Sequence, residues 1–279
     1  APNQLRQLGA RRERPAMSGA LRPRVDLELA ERAARAAGEL VRNAFSAPVV
    51  AEAKGSHDVV TATDRASEAM LAEILLGEVL PGDALLGEEG GARGGVGASR
   101  LWIVDPIDGT VNFANGIPLF AVAIGLVVDD EPLLGVVYDP IRDELFAAER
   151  GAGARLNGTP IHASAKRSLR ESVCATSLQR GAGMRLVESI ALSARSTRAL
   201  GTSAIALAWV AAGRIDAYVQ DANLSLWDIA GPGVIALEAG AVVEGLDGES
   251  WLNLDATNDA RIIASAPGIV SEVRAAIGR

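Results

Sequence analysis

Cysteine is almost missing from this 279-residue chain, where Cys174 stands alone. No intrachain disulfide can form, and a reducing, cytoplasmic setting is the expectation. Histidine is nearly as scarce, and with only His57 and His162 a zinc site built on imidazoles is disfavoured. Long hydrophobic runs are absent too: none approaches the roughly 18 residues of a membrane-spanning helix. A soluble protein with no membrane partner is expected. The 49% hydrophobic content and mean hydropathy of +0.19 nevertheless exclude a disordered chain. An excess of basic charge is lacking, and a formal net charge of −8 argues against a nucleic-acid partner. Small phosphorylated molecules are not excluded, because divalent cations gathered by acidic side chains reverse the local sign. Neither an internal repeat nor a low-complexity linker interrupts residues 26–279.

What is present is concentrated in one stretch, Leu101 to Phe113. Leu101-Trp102-Ile103-Val104 reads as a buried strand that stops at a carboxylate, so Asp105 sits at the strand's mouth. Pro106 should end ladder pairing, Gly109 permits a tight turn, and the amides after it can point into one anion-sized concavity. Two carboxylates, Asp105 and Asp108, then share a turn with a phosphate-sized nest. Such groups repel unless cations lie between them, and Mg²⁺ is the hard, oxygen-seeking ion that also grips phosphates.

Along the chain, residues 1–25 carry Arg6, Arg11, Arg12, Arg14, Arg22 and Arg24 without periodicity and read as a solvated extension. A helix is expected from Asp26, as N-cap, to Phe45, and a second amphipathic helix from Asp64, again as a cap, to about Leu80. Ala84-Leu85-Leu86 is a short strand running into Gly87-Glu88-Glu89, and residues 90–99 read as a surface loop. Residues 120–128 and 133–138 read as a hairpin or adjacent strands about Asp129-Asp130-Glu131-Pro132, and a meander is expected to continue through 144–148 and 154–156 to the turn Asn157-Gly158. From residue 169 the pattern becomes α/β, with strands at 172–176, 215–219, 242–243 and 261–264. Helices are expected at 184–194, 203–212, 226–238 and 267–277. Asp228 is placed to cap the third of these, whose first turns Pro232 should loosen. Two halves are expected, an α+β half over 26–168 and an α/β half over 169–279.

The string Asp105-Pro106-Ile107-Asp108-Gly109-Thr110-Val111-Asn112-Phe113 resembles the signature of the inositol monophosphatase family, Mg²⁺-dependent and Li⁺-sensitive phosphomonoesterases. Thr63-Asp64, Gly87-Glu88-Glu89 and Trp227-Asp228 followed by Glu238-Ala239-Gly240 match further family elements in the same order. The resemblance implies an α+β fold, the layered αβαβα sandwich, and a homodimer. It implies one Mg²⁺ held by Glu88, Asp105 and the carbonyl of Ile107, a second by Asp105, Asp108 and Asp228, and a third that Glu88 reaches through water. Thr110, hydrogen-bonded to Asp64, would orient the attacking water, and the amides of Gly109 and Thr110 would bind phosphate. Ser203 and Asp221 would face the substrate, with Asp221 one methylene shorter than the family's usual Glu. Lys54 resembles a family lysine near the first helix pair.

The activity so implied is hydrolysis of a small phosphate monoester, foremost inositol monophosphate, by metal-activated water without a covalent intermediate. Histidinol phosphate, adenosine 3′,5′-bisphosphate, fructose 1,6-bisphosphate and a non-catalytic regulatory role are the alternatives. Haloacid dehalogenase phosphatases also place Asp and Gly-Thr after a strand, but their acids are two residues apart, whereas Asp105 and Asp108 are three apart.

Overall fold

A computed structural model describes residues 23–46, 51–53, 59–77, 82–95, 98–178, 183–255 and 260–279. Lys54, His57 and the arginines before residue 23 lie outside the described residues. In chain order the elements are α1 Pro23–Phe45, β1 Ala51–Ala53, β2 Val59–Thr61, α2 Ala62–Gly77, β3 Ala84–Gly87, β4 Gly91–Gly94, β5 Arg100–Asp108 and α3 Thr110–Ala114. The sheet-rich middle follows as β6 Ala121–Val128, β7 Glu131–Asp139, β8 Glu144–Glu149, β9 Gly153–Leu156 and β10 Thr159–Pro160. The remainder alternates: β11 Val173–Thr176, α4 Met184–Ser193, β12 Ser196–Arg198, α5 Ser203–Ala211, β13 Ala217–Leu224, α6 Leu226–Glu238, β14 Val242–Gly245, β15 Ala260–Ser265 and α7 Val270–Ala276.

Apolar positions spaced about one helical turn apart, Leu29, Ala33, Ala37 and Val41, bury one face of α1. Together with α2 it covers one side of an eight-stranded sheet ordered β10-β9-β8-β7-β6-β5-β3-β4. Helices α5 and α6 cover the other side of that sheet and, with their opposite faces, a five-stranded sheet ordered β12-β11-β13-β15-β14. An outer layer of α4 and α7 completes the αβαβα sandwich. Among the described residues no helix is long and apolar enough to cross a membrane.

The approach of α6 to the large sheet is set by glycine. A Cβ on Gly231 of α6 would overlap the carbonyl oxygen of Ile124 in β6, and one on Gly135 in β7 would overlap that of Gly231. Backbone therefore rests on backbone, which fixes the height of the helix above the strands. Pro232, expected to loosen this helix, is buried in its interior, and α6 runs unbroken from Leu226 to Glu238. The proline denies a donor only to the carbonyl four residues back, that of Asp228, while its ring adds to the packed face.

Several expectations are corrected. Asp26 is not an N-cap, because α1 begins at Pro23, a residue suited to a first helical turn. Its carboxylate instead accepts a hydrogen bond from Arg100 Nη2 at 2.9 Å, while Arg100 Nε and Trp102 Nε1 both donate to Asp83. Residues 91–94 form an edge strand paired antiparallel with β3 rather than loop. Gly-Ala-Arg-Gly has no β-forming side chain, so only the neighbouring ladder reveals it. Glu131 and Pro132 belong to β7, leaving Asp129 and Asp130, both at positive φ (51° and 66°), as a two-residue hairpin turn.

Pro106 does not end β5 either. The strand continues to Asp108, but Asp105 pairs with Ala123 and Asp108 with Ala121, so one extra residue is accommodated in a bulge. A bulge is where a sheet tolerates a proline's missing amide.

The glycine seam generates a stability prediction. Gly231→Ala should lower the unfolding free energy by about 1–3 kcal/mol, the usual cost of overpacking. Gly77→Ala, whose Cβ would meet nothing within 4 Å, should leave it unchanged or slightly raised. Urea titration of both variants beside the parent measures the difference.

Candidate metal centre

Strand periodicity puts residues three apart on opposite faces of a sheet, and the extra residue in the β5 bulge cancels that difference. Asp105 and Asp108 thereby share a side. Asp228 joins them from α6, and a carboxylate oxygen from each of the three lies within 4.8 Å of the others. Asp228 is not the N-cap of its helix. It is the third helical residue of a capping box in which Ser225 is the cap, and its Oδ2 accepts the Ser225 amide at 2.5 Å.

The three acids are answered unequally. Asp108 accepts the amides of Ala204 (2.6 Å) and Ser203 (3.3 Å) at the start of α5, together with the Thr202 hydroxyl. Asp105, only 2% exposed, accepts the amide of Ile107 at 3.0 Å. Burial pushes the Asp105 carboxyl well above the ordinary carboxylate range, and the negative charges of Glu88, Asp108, Asp228 and Asp64 push it further. Burial also raises Asp108, against the opposing pull of Thr202 and the α5 amides. Glu88, in the turn after β3, is outside the closest trio yet is foremost among the charges bearing on Asp105.

Beside this cluster stands a second arrangement. Asp64 is the third residue of α2, and its Oδ2 accepts from the amide of Thr61 at 2.8 Å and from the Thr61 hydroxyl at 2.5 Å. Its expected role as N-cap therefore passes to Thr61. The other oxygen, Oδ1, accepts from Thr110 Oγ1 at 3.1 Å, and the same hydroxyl lies 2.9 Å from the carbonyl of Ile107. The hydroxyl has one proton for these two acceptors, which compete for it. Burial raises the Asp64 carboxyl, opposed by the hydrogen bonds from Thr61 and Thr110. Gly109, at φ 98°, makes the left-handed turn that starts α3 at Thr110. Asn112, three residues on, donates to the carbonyls of Leu119 and Leu200 and so ties this turn to the segment before α5.

Ser203 lies at the start of α5, buried, with its hydroxyl 3.0 Å from that of Tyr218 and its amide on Asp108. Asp221 accepts the amide of Gly183, which precedes α4 and lies 3.2 and 3.1 Å from its two carboxylate oxygens. Sequence reasoning missed Thr202, Ser67 and Glu68. Ser67 donates to the carbonyl of Pro106 at 3.0 Å, and Glu68 accepts from the turn that carries Glu88. Their signal was available, since both sit three and four residues after Asp64 on the apolar face of α2.

Among the described residues the cluster consists of hard carboxylate oxygens, a donor set able to hold a metal ion. Comparison with known proteins agrees in both sequence and shape. Nus factor SuhB of Haemophilus influenzae is 36% identical over 256 residues, covering 88% of this chain and 93% of that protein. Inositol monophosphatase 1 of Solanum lycopersicum is 38% identical over 227 residues, covering 78% and 83%. The solved structure of the extragenic suppressor protein SuhB from Bartonella henselae superposes with a TM-score of 0.85 at 33% identity, covering 91% of this chain and 99% of that one. A family model matches residues 23–277, and the chain belongs to the inositol monophosphatase family.

Proposed function

We propose that the protein is a Mg²⁺-dependent phosphatase of small phosphate monoesters, with inositol monophosphate as its substrate class. The observation that carries this reading is the convergence of Asp105, Asp108 and Asp228, three carboxylates from two elements brought within 4.8 Å. Their charges cannot coexist there without a cation. Glu88, Asp105, the Ile107 carbonyl, Asp108 and Asp228 would hold two to three Mg²⁺ ions. When bound, Mg²⁺ neutralises phosphoryl oxygens and lowers the pKa of water to make a nucleophile near neutral pH.

The chain's own residues do the rest. The Thr110 proton cannot serve both Asp64 and the Ile107 carbonyl. The Ile107 carbonyl would help hold the cation, which would leave the Thr110 proton to Asp64 and the hydroxyl oxygen able to accept from a water. Asp64, held by Thr61, supplies the fixed acceptor. The Gly109 and Thr110 amides receive phosphate oxygens at the turn. Asp105, hemmed in by like charges and by Pro106, serves as a ligand rather than a nucleophile.

A second reading is favoured by the name of one relative, Nus factor SuhB, which indicates a regulatory role for that protein. Retention of every acidic side chain described above supports catalysis here. Assayed side by side in Mg²⁺, with and without Li⁺, inositol 1-phosphate should outpace histidinol phosphate, adenosine 3′,5′-bisphosphate and fructose 1,6-bisphosphate. Absence of phosphate release from all four would leave the regulatory reading.

Asp105→Asn should lower turnover at least about 100-fold, equivalent to about 3 kcal/mol of transition-state stabilisation. Because it removes a buried charge, the metal-free variant should melt no lower than the parent. Wild-type turnover in the variant would overturn the assignment. The raised carboxyls of Asp105, Asp108 and Asp64 mean that the folded, metal-free protein binds more protons than the unfolded chain. Its stability in EDTA should therefore fall as pH rises from the ordinary carboxylate value of about 4 toward neutrality. Added Mg²⁺ should raise the melting temperature most at the upper end of that range and least at the lower, which thermal melts across it will measure.

A further inference from the structure

We propose that Glu68 is a positioning residue that sets the affinity of the carboxylate cluster for its cation by fixing the turn that carries Glu88. The proposal rests on the phosphatase reading above. Glu68 is 1% exposed, and its carboxylate is met by three donors, each at 2.7 Å. The amide of Glu89 donates to Oε2, while the amide of Gly90 and the Arg93 guanidinium donate to Oε1. A buried carboxylate is tolerated only when its oxygens are satisfied, and two of these donors belong to the turn between β3 and β4. Residues 87 and 90, flanking the two glutamates, are both glycine. A Cβ at either would overlap the Glu68 carboxylate, so carboxylate and turn are in direct contact.

An ion pair that merely secures a sheet edge would also bury a glutamate. The rest of α2 sets this one apart. Asp64, Ser67 and Glu68 stand at i, i+3 and i+4 on one helical face. Asp64 reaches Thr110, Ser67 reaches the Pro106 carbonyl in the β5 bulge, and Glu68 reaches the Glu88 turn. One rigid helix thus gauges the spacing of the three backbone segments that surround the acidic trio. Partners that orient metal ligands typically change metal affinity or activity by about 10- to 100-fold when removed.

Glu68→Gln tests the contact with little change of shape. Whichever way its amide is turned, an NH₂ group faces a donor, either the Glu89 amide or the pair from Gly90 and Arg93. Gly87→Ala disturbs the same contact from the other side. Mg²⁺ is titrated calorimetrically into the full-length, metal-free parent and both variants, with far-UV circular dichroism in EDTA to verify folding. The dissociation constant should rise about 10- to 100-fold in Glu68→Gln, with a smaller rise in Gly87→Ala. The Mg²⁺ concentration for half-maximal phosphate release should rise in parallel, and kcat at saturating Mg²⁺ should fall less than the affinity. Folded variants that bind Mg²⁺ as the parent does, or that lose kcat without losing affinity, would overturn the proposal. If Glu68→Gln does not fold, Gly87→Ala decides. A parent that neither binds Mg²⁺ nor releases phosphate would overturn the phosphatase reading instead.

Discussion

Repulsion among carboxylates held out of water is the constraint around which this protein is arranged. At about 5 Å and an effective dielectric of about 20, two unit charges repel by roughly 3 kcal/mol. Asp108 and Asp228 stand that close to Asp105, and the charges of Glu88 and Asp64 bear on it as well. The chain accepts that tension at a place it could have filled with apolar side chains, as it does a few residues earlier with Trp102, Ile103 and Val104. Charge crowding of this kind costs stability, and a cation is what relieves it.

The same local device recurs around the cluster. α2, α5 and α6 each aim their first turn toward it, and in each case an aspartate takes up otherwise unpaired amides. Asp64 binds the amide of Thr61, Asp228 that of Ser225, and Asp108 those opening α5. Helix starts favour negative charge, so each aspartate is steadied by the fold while presenting its remaining acceptor capacity inward. Asp105 alone lacks a helix behind it. It accepts the amide of Ile107 two residues along its own strand, and burial together with the charges of Glu88, Asp108, Asp228 and Asp64 displaces its carboxyl far upward.

Much of this was legible in the sequence, and the remainder had physical reasons to stay hidden. The apolar run ending at Asp105, the Gly109 turn and the span of α6 are local patterns, and local patterns survive in one dimension. The bulge at Pro106 is not local, because it exists only relative to β6, and a proline read in isolation signals the end of a strand. Asp64 and Asp228 were recognisable at helix starts, but telling a cap from the third residue of a capping box needs the preceding Thr61 or Ser225 to be given its own role. Glu68 was overlooked because glutamate on a helix is usually solvated, although it falls in step with buried Leu71 and Leu75. The contact of Asp221 with Gly183 depends on where α4 begins, which the sequence of β13 does not reveal.

The central helical layer also governs the order in which the molecule can be completed. The eight-stranded sheet is fully encoded by residue 160, yet the apolar face formed by Ala121, Ala123, Val137 and Phe146 is covered largely by α5 and α6, the latter ending at residue 238. A ribosome extending the chain at about 5–20 residues per second leaves that face bare for on the order of 4–16 s. Burial of that face therefore waits on residues from the second half of the chain.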